Sequence, residues 1–274
     1  MLGFSVCMSV YRNDKPDDFR VALSSVINQT LPPSELVLVV DGPIGVGLNA
    51  VIEELETKLK NVKVIRLKEN HGHAVARQIG IEHATNELIA IMDSDDIAHS
   101  DRFEKQVRCF EEDEMLSVLG GQIVEFVGEV EHVVGIREVP CEYEEIKQYA
   151  KSRCPMNQVT VMMRKTDMQN VGGYLAWFCN EDYYLWIRML QKGYKFKNLP
   201  DRLVYVRVGE EMYGRRGGIK YFKSEACLQK YMWDEGIIGF YRYVFNVSVR
   251  WGVQVLLPPQ MRGFIFQKLF RHSK

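Results

Sequence analysis

Residues 4–100 switch repeatedly between apolar strand-like runs and segments of helical period, and very few architectures accept that order. "FSVCMSVY" (4–11) is an apolar run, followed by Phe19, Ala22, Leu23, Val26 and Ile27 at helical spacing, then by "LPP" as a breaker. "ELVLVV" (35–40) predicts a second strand, and Leu48, Val51, Ile52, Leu55 and Leu59 a second amphipathic helix. "VKVIRL" (62–67) predicts a third strand, residues 73–84 a third helix and "ELIAIMD" (87–93) a fourth strand, with a further helix starting near Ser100. This β-α-β-α-β-α-β order implies a parallel sheet with helices on both faces. Strands apolar on both sides agree, because both faces are then covered.

Beyond residue 115 the pattern loosens. "GGQIVEFV" and "VTVMMRK" read as strands, and "EDYYLWIRMLQKG" as a helix that stops at Gly193. From "YVRVGEEMYGRRGG" onward the composition shifts to Gly, Arg and aromatics. The net charge is -1, so nothing global points to nucleic acid, but the sign is unevenly spread. Residues 236–274 carry Arg242, Arg250, Arg262, Lys268, Arg271 and Lys274 and no acid, which leaves an acidic body with a basic, apolar tail. The six cysteines have no CxxC spacing and read as reduced thiols of a cytosolic protein. The N-terminus lacks the basic region of a signal peptide, and no apolar stretch suits a membrane span.

In open parallel sheets, ligands bind outside the carboxyl ends of the strands. Ser9 and Tyr11 follow the first strand, Asp41 the second, and Asp93, Asp95 and Asp96 the fourth. A single acidic strand end is commonly a turn or a helix cap, and "DSDD" alone also reads as a solvated turn. Three polar ends along one edge favour a binding crevice. No GxGxxG follows the first strand and no P-loop is present, which argues against a dinucleotide oxidoreductase or a P-loop ATPase. Asp-x-Asp handles phosphate by another route, through a divalent cation that takes few protein carboxylates and fills its shell with phosphate oxygens and water. Asn180, Glu181 and Asp182 open a helix, where acids are favoured by the helix dipole and a carboxylate can accept a proton from an attacking hydroxyl.

"SVCMSVYRND", "SSVINQT", "ELVLVVDGP", "NHGHAVARQIGIEHATNELIAIMDSDD", "VGGY" and "EDYYLWIRMLQKGYKFKNLPDRLVYVRV" occur in an order and spacing that resembles glycosyltransferase family 2. The likeness is to bacterial members that extend lipid-linked oligosaccharides. "MYGRRGGIKYFKSE" and "LLPPQMRGFIFQKLFR" resemble a subgroup with amylovoran-type and β-1,3-galactosyl- or glucosyltransferases of O-antigen assembly. The resemblance implies a GT-A fold: a Rossmann-like, mainly parallel α/β sheet flanked by helices, here with a C-terminal helical extension. Residues 1–207 would form the catalytic domain, with 1–114 as its nucleotide-binding half and 115–207 as its acceptor half. Residues 208–274 would supply a flexible loop and membrane-associating helices.

Under this resemblance the chain is an inverting hexosyltransferase with a UDP-sugar donor, a polyprenyl-diphosphate-linked saccharide acceptor and Mn²⁺ or Mg²⁺. It would sit in the cytoplasm on the anionic inner face of the plasma membrane. Ser9 and Tyr11 would lie against uracil and ribose, Asp41 would bond the base, and Arg77 would stand near the nucleotide. Asp93 would meet ribose and metal, Asp95 the metal and Asp96 the donor sugar. Asp182 would be the general base, with Glu181 holding acceptor or base in place. Arg215 and Arg216 would close over the diphosphate, or alternatively meet lipid headgroups. The family often has two acids where this chain has Val40-Asp41, and the subgroup often a histidine where it has Gln158. A different nucleotide donor, a soluble acceptor or a non-catalytic nucleotide-sugar-binding module are the competing readings. A nucleotidyltransferase would want a Gly-rich basic loop in place of "SVYRNDKPDD", and a membrane scaffold would not need the donor-site series.

Overall fold

The computed structural model describes residues 2–209 and 217–258. Its first half follows the predicted alternation: β1 (Phe4–Val10), α1 (Pro16–Ile27), β2 (Glu35–Val40), α2 (Val46–Lys58), β3 (Val62–Arg66), α3 (His73–His83) and β4 (Leu88–Met92). A two-residue β5 (Ile97–Ala98), α4 (Arg102–Glu112), β6 (Leu116–Phe126), β7 (Val133–Arg137) and α5 (Tyr143–Ala150) come next. They are followed by β8 (Met162–Arg164), α6 (Lys165–Gln169), α7 (Glu181–Gln191) and β9 (Lys195–Arg207). Two further helices, α8 (Ile219–Asp234) and α9 (Phe240–Trp251), and a π-helical turn (Gly252–Leu256) close the described chain.

One nine-stranded sheet runs β3-β2-β1-β4-β8-β6-β9-β5, with β7 paired to β6. The β3-β2-β1-β4 part is parallel; β8 joins it to β6 by antiparallel pairing on both sides. Period-two alternation sorts the strand side chains between two cores. Phe4, Val6, Met8 and Val10 of β1 pack towards α1, α2 and α4, in one cluster with Phe19, Ile52 and Phe103. Cys7, Val37, Ile89 and Ile91 pack on the opposite face with Ile81 of α3, Ile146 of α5 and Trp186 of α7.

The second half departs from the sequence reading in three places. "VTVMMRK" forms a short 3₁₀ turn (Gln158–Thr160) before a three-residue strand. β6 starts earlier than "GGQIVEFV", at Leu116. No strand is read from the sequence over β9, in which Pro200 lacks the N–H that a ladder needs. The sheet accommodates Pro200 at an irregularity: Gly120 pairs with Asn198 and Gln122 with Arg202. The C-terminal pair α8 and α9 joins the body through a small core of Ala150, Tyr183, Ile187, Leu228, Met232 and Ile238. Among the described residues, no helix is long and apolar enough to cross a membrane.

Candidate active site

Strand periodicity explains why the polar strand ends gather. Ser9, Asp41 and Asp93 continue the alternate positions occupied by Cys7, Val37 and Ile91, which face α3 and α7. Ser9, Tyr11 and Asp41 line a cleft whose other walls are Val10, Asn70, Gly72 and His73. The Tyr11 and His73 rings meet edge-on, with centroids 6.0 Å apart.

Asp41 is only 4% exposed, and its carboxylate works mainly within the protein. It accepts hydrogen bonds from Asn70 Nδ2 (2.9 Å), His71 N (2.7 Å) and Gly72 N (2.9 Å), which ties the loop before α3 to the end of β2. A carboxylate has about four acceptor positions, so one remains for a ligand. Gly42 makes the approach possible: its φ is +86°, and a Cβ there would stand 2.7 Å from Asn70 N. Both the turn reading and the binding reading of Asp41 are thus compatible with its position.

Arg77 is the bridge across the site. From α3 its Nη2 donates to Asp93 Oδ1 at 2.9 Å and its Nη1 to Glu181 Oε1 at 3.4 Å, joining the end of β4 to the start of α7. Burial opposes its charge, but Asp93, Tyr174 and Glu181 outweigh that and keep the guanidinium protonated. The arrangement brings together four residues that the sequence separates by up to 105 positions: Arg77, Asp93, Glu181 and Asp182.

The acids after β4 are unequal. Burial opposes ionisation of Asp93, yet Arg77 and His73 hold it below the usual carboxylate range. Asp95 reaches solvent, but the protein around it and the charges of Asp93 and Asp14 push it up to about 6. Asp96, 3% exposed, lies well above the ordinary value because of burial and then of Asp95 and Asp93. Its Oδ1 accepts the backbone N–H of Arg207 at 2.9 Å, so it serves the sheet edge as well as the site. Beneath the cluster, fully buried Arg102 donates to Ile91 O (2.9 Å); burial pulls its guanidinium down to about 9, against Asp93 and Asp96, which favour its charge.

Among the described residues no three His, Cys, Asp or Glu side chains form a cage for a metal ion. A divalent cation shared with a diphosphate needs only one or two carboxylates. Asp95 and Asp93 fit that demand: they are hard oxygen donors two positions apart in one loop, and Asp95 is exposed to solvent.

At the start of α7, Asp182 Oδ1 accepts the N–H of Tyr183 (2.7 Å), and Cys154 Sγ stands 3.8 Å from its Oδ2. Burial and the neighbouring Asp182 raise Glu181, against the pull of Arg77. Asn180 occupies the N-cap position, but its side chain does not cap the helix; its Nδ2 donates to Ser224 Oγ of α8 (3.1 Å). Gln158, at the subgroup's histidine position, donates to Tyr174 Oη at 2.5 Å. Arg215 and Arg216 lie outside the described residues.

Sequence reasoning assigned no part to four residues of this site: Asn70 and His73 in the cleft wall, Asp14, and Arg207. Asp14 accepts from Tyr11 N (3.0 Å) and Ser94 Oγ (2.8 Å), so it braces the first strand end against the acidic loop. Arg207 Nε donates to Asp95 O (3.2 Å) and Nη1 to Gly128 O (2.7 Å). The polar "NHGH" at the start of a helix was a usable signal for the first pair. Nothing local marked Arg207.

Residues 5–172 match the family model described as Glycosyl transferase family 2. An uncharacterized glycosyltransferase of Haemophilus influenzae is 39% identical over 98% of this chain and 100% of its own length. The amylovoran biosynthesis glycosyltransferase AmsE of Erwinia amylovora is 34% identical over 97% of this chain and 98% of its own. The Escherichia coli UDP-Gal:alpha-D-GlcNAc-diphosphoundecaprenol beta-1,3-galactosyltransferase is 33% identical, covering 98% and 96%. Among solved structures, S. aureus TarS 1-349 in complex with UDP-GlcNAc superposes with a TM-score of 0.69 at 18% identity, over 97% of this chain and 75% of that one. The mannosyltransferase PcManGT from Pyrobaculum calidifontis in complex with GDP-Man and Mn2+ gives 0.66 at 14% identity, over 94% and 71%. The fold is accordingly of GT-A type.

Proposed function

The chain belongs to glycosyltransferase family 2, and from that membership we propose an inverting transfer of a hexose from a UDP-sugar to a polyprenyl-diphosphate-linked saccharide. The product would serve bacterial surface polysaccharide assembly. The observation that carries the reading is the Arg77 bridge, which sets the acids at the end of β4 beside those at the start of α7, next to the Ser9–Asp41 cleft.

In this reading Ser9, Tyr11 and the remaining acceptor position of Asp41 hold the uracil nucleoside. Asp93 faces the ribose and metal, and Asp96 the donor sugar. Asp95 and Asp93 would hold Mn²⁺ or Mg²⁺, which supplies charge neutralisation for the diphosphate when bound. Arg77 keeps Asp93 ionised near the nucleotide. Asp182 accepts the proton of the acceptor hydroxyl at its Oδ2, and Glu181 positions acceptor or base. The hydroxyl oxygen attacks the anomeric carbon from the face opposite the leaving nucleoside diphosphate, a single displacement that inverts the centre. Residues 1–114 form the donor half, 115–207 the acceptor half and 208–274 the membrane-associating part, on the inner face of the plasma membrane.

The test is a donor screen of UDP-Gal, UDP-Glc, UDP-GlcNAc and UDP-GalNAc, with and without Mn²⁺, against a synthetic polyprenyl-diphosphate sugar. Transfer of one hexose with inversion is expected. Release of UDP from none of the four would reject the donor assignment.

A further inference from the structure

The segment that leads into α7 is exposed yet sharply bent. Leu175, Ala176, Phe178 and Cys179 face solvent, so core packing gives this stretch little hold. Cys179 has a φ of +57°, and among the described residues it is the one non-glycine with a positive φ. A side chain in that region of backbone space persists only where its surroundings over-determine the conformation. Glu181 and Asp182 follow at two and three positions, so the corner sets where both carboxylates begin.

The bonds that fix the corner converge on one residue of α8. Ser224 Oγ donates to Phe178 O and accepts from Asn180 Nδ2 (3.1 Å), so its hydroxyl holds the chain on both sides of Cys179. Ser224 O accepts from Trp177 Nε1 (3.3 Å). The Trp177 ring in turn lies against Tyr184 of α7, with centroids 4.5 Å apart, and Tyr184 meets Tyr231 of α8 edge-on at 5.0 Å. Asn180 and Ser224 are both buried, which keeps water from competing for their bond. An asparagine at an N-cap ordinarily turns its side chain to the first free N–H groups of its own helix. Asn180 makes no such bond and reaches α8 instead. Leu228 and Met232, one and two turns on from Ser224, pack with Tyr183 and Ile187 of α7. Ser224 thus continues the apolar stripe of α8 with a polar group at the level where α7 begins.

We propose that Ser224 is a positioning residue of the transfer reaction. By clamping the Cys179 corner it aims the first turn of α7, and with it the carboxylate of Asp182, at the acceptor hydroxyl. This role deepens the function proposed above and rests on Asp182 being the base. The Arg77 bridge ties α7 to the acids after β4 through Glu181, from the side of α3. The Ser224 clamp fixes the same turn from the side of α8, which therefore belongs to the reaction centre although it lies past residue 207.

The test compares the full-length wild type with Ser224→Ala, Asn180→Ala, the double variant and Asp182→Asn, each first shown to be folded by its denaturant unfolding curve. Rates are measured with the UDP-sugar turned over in the donor screen. Misplacement of a reacting group by about 1 Å can cost about 100-fold in rate. Ser224→Ala is expected to lower kcat at least about tenfold while the KM for the UDP-sugar moves less than about twofold. The double variant is expected to lose no more than Ser224→Ala alone, since both changes remove one linkage. A wild-type kcat in Ser224→Ala beside an inactive Asp182→Asn overturns the clamp and leaves the base in place. So does a KM that rises as much as kcat falls, or an additive loss in the double variant. If the wild type transfers no hexose, or Asp182→Asn turns over normally, the proposed reaction or its base falls, and with it the aim given to the clamp. Hydrogen exchange at the amides of residues 181–184 then judges the clamp by itself: faster exchange in Ser224→Ala keeps it, and unchanged exchange removes it.

Discussion

Two groups of acids face each other across Arg77, and within each group the members are unequal. After β4, Asp95 and Asp96 repel each other and Asp93, and both are harder to ionise than free carboxylates. At the start of α7, Asp182 receives a backbone N–H and the favourable end of the helix dipole. The first group holds crowded negative charge that an added cation would relieve; in the second, Asp182 is already hydrogen-bonded and Glu181 shares Arg77 with Asp93. The difference teaches that clustered acids at one site need not share a task.

The largest way to break the comparison is Asp182→Asn, expected to lower kcat by about 10²–10⁴-fold while calorimetric UDP-sugar affinity is unchanged. Near-normal turnover would remove Asp182 as base. Asp95→Ala should do the reverse, weakening Mn²⁺-dependent UDP binding by at least about 100-fold with little change in metal-free binding. Identical titrations in the presence of metal would end its role as a ligand.

Arg77→Met tests the link between the groups. It leaves Asp93 and Glu181 without their shared partner, and unfolding in urea should show a loss of about 3 kcal/mol. An unchanged midpoint would mean that solvent already screens both acids. The smallest effect is expected from Cys154→Ala, which removes a thiol within reach of both Met156 O (3.5 Å) and Asp182 Oδ2 (3.8 Å) and should change kcat by less than about threefold. A larger drop in single-turnover rate would show that the α7 acid depends on its neighbours as much as the β4 acids do.

Legibility in the sequence followed locality. The β-α alternation could be read because each early element has its own period: "ELVLVV" became β2 at the predicted residues, and 73–84 became α3 within one residue. β9 could not, because Pro200 interrupts it and its partner β6 is distant in sequence. The same limit applies to the site. Asp93, Asp95 and Asp182 stood out as acids at element ends, whereas the Arg77 bridge depends on α3 and α7 sharing one face of the sheet. Asp41 was read as a ligand contact, but its hold on Asn70, His71 and Gly72 needed the loop's path.

The bond from Arg207 N to Asp96 spans 111 positions, and β5 pairs with β9 immediately beside it. During synthesis, the acidic loop is complete as covalent chain long before the strand that shapes it leaves the ribosome. Until then Asp96 has no partner at that edge, and its burial must wait. A nascent chain ending before Arg207 would hold Asp96 without this bond and β5 without part of its partner strand, so the acidic loop is finished only when β9 arrives.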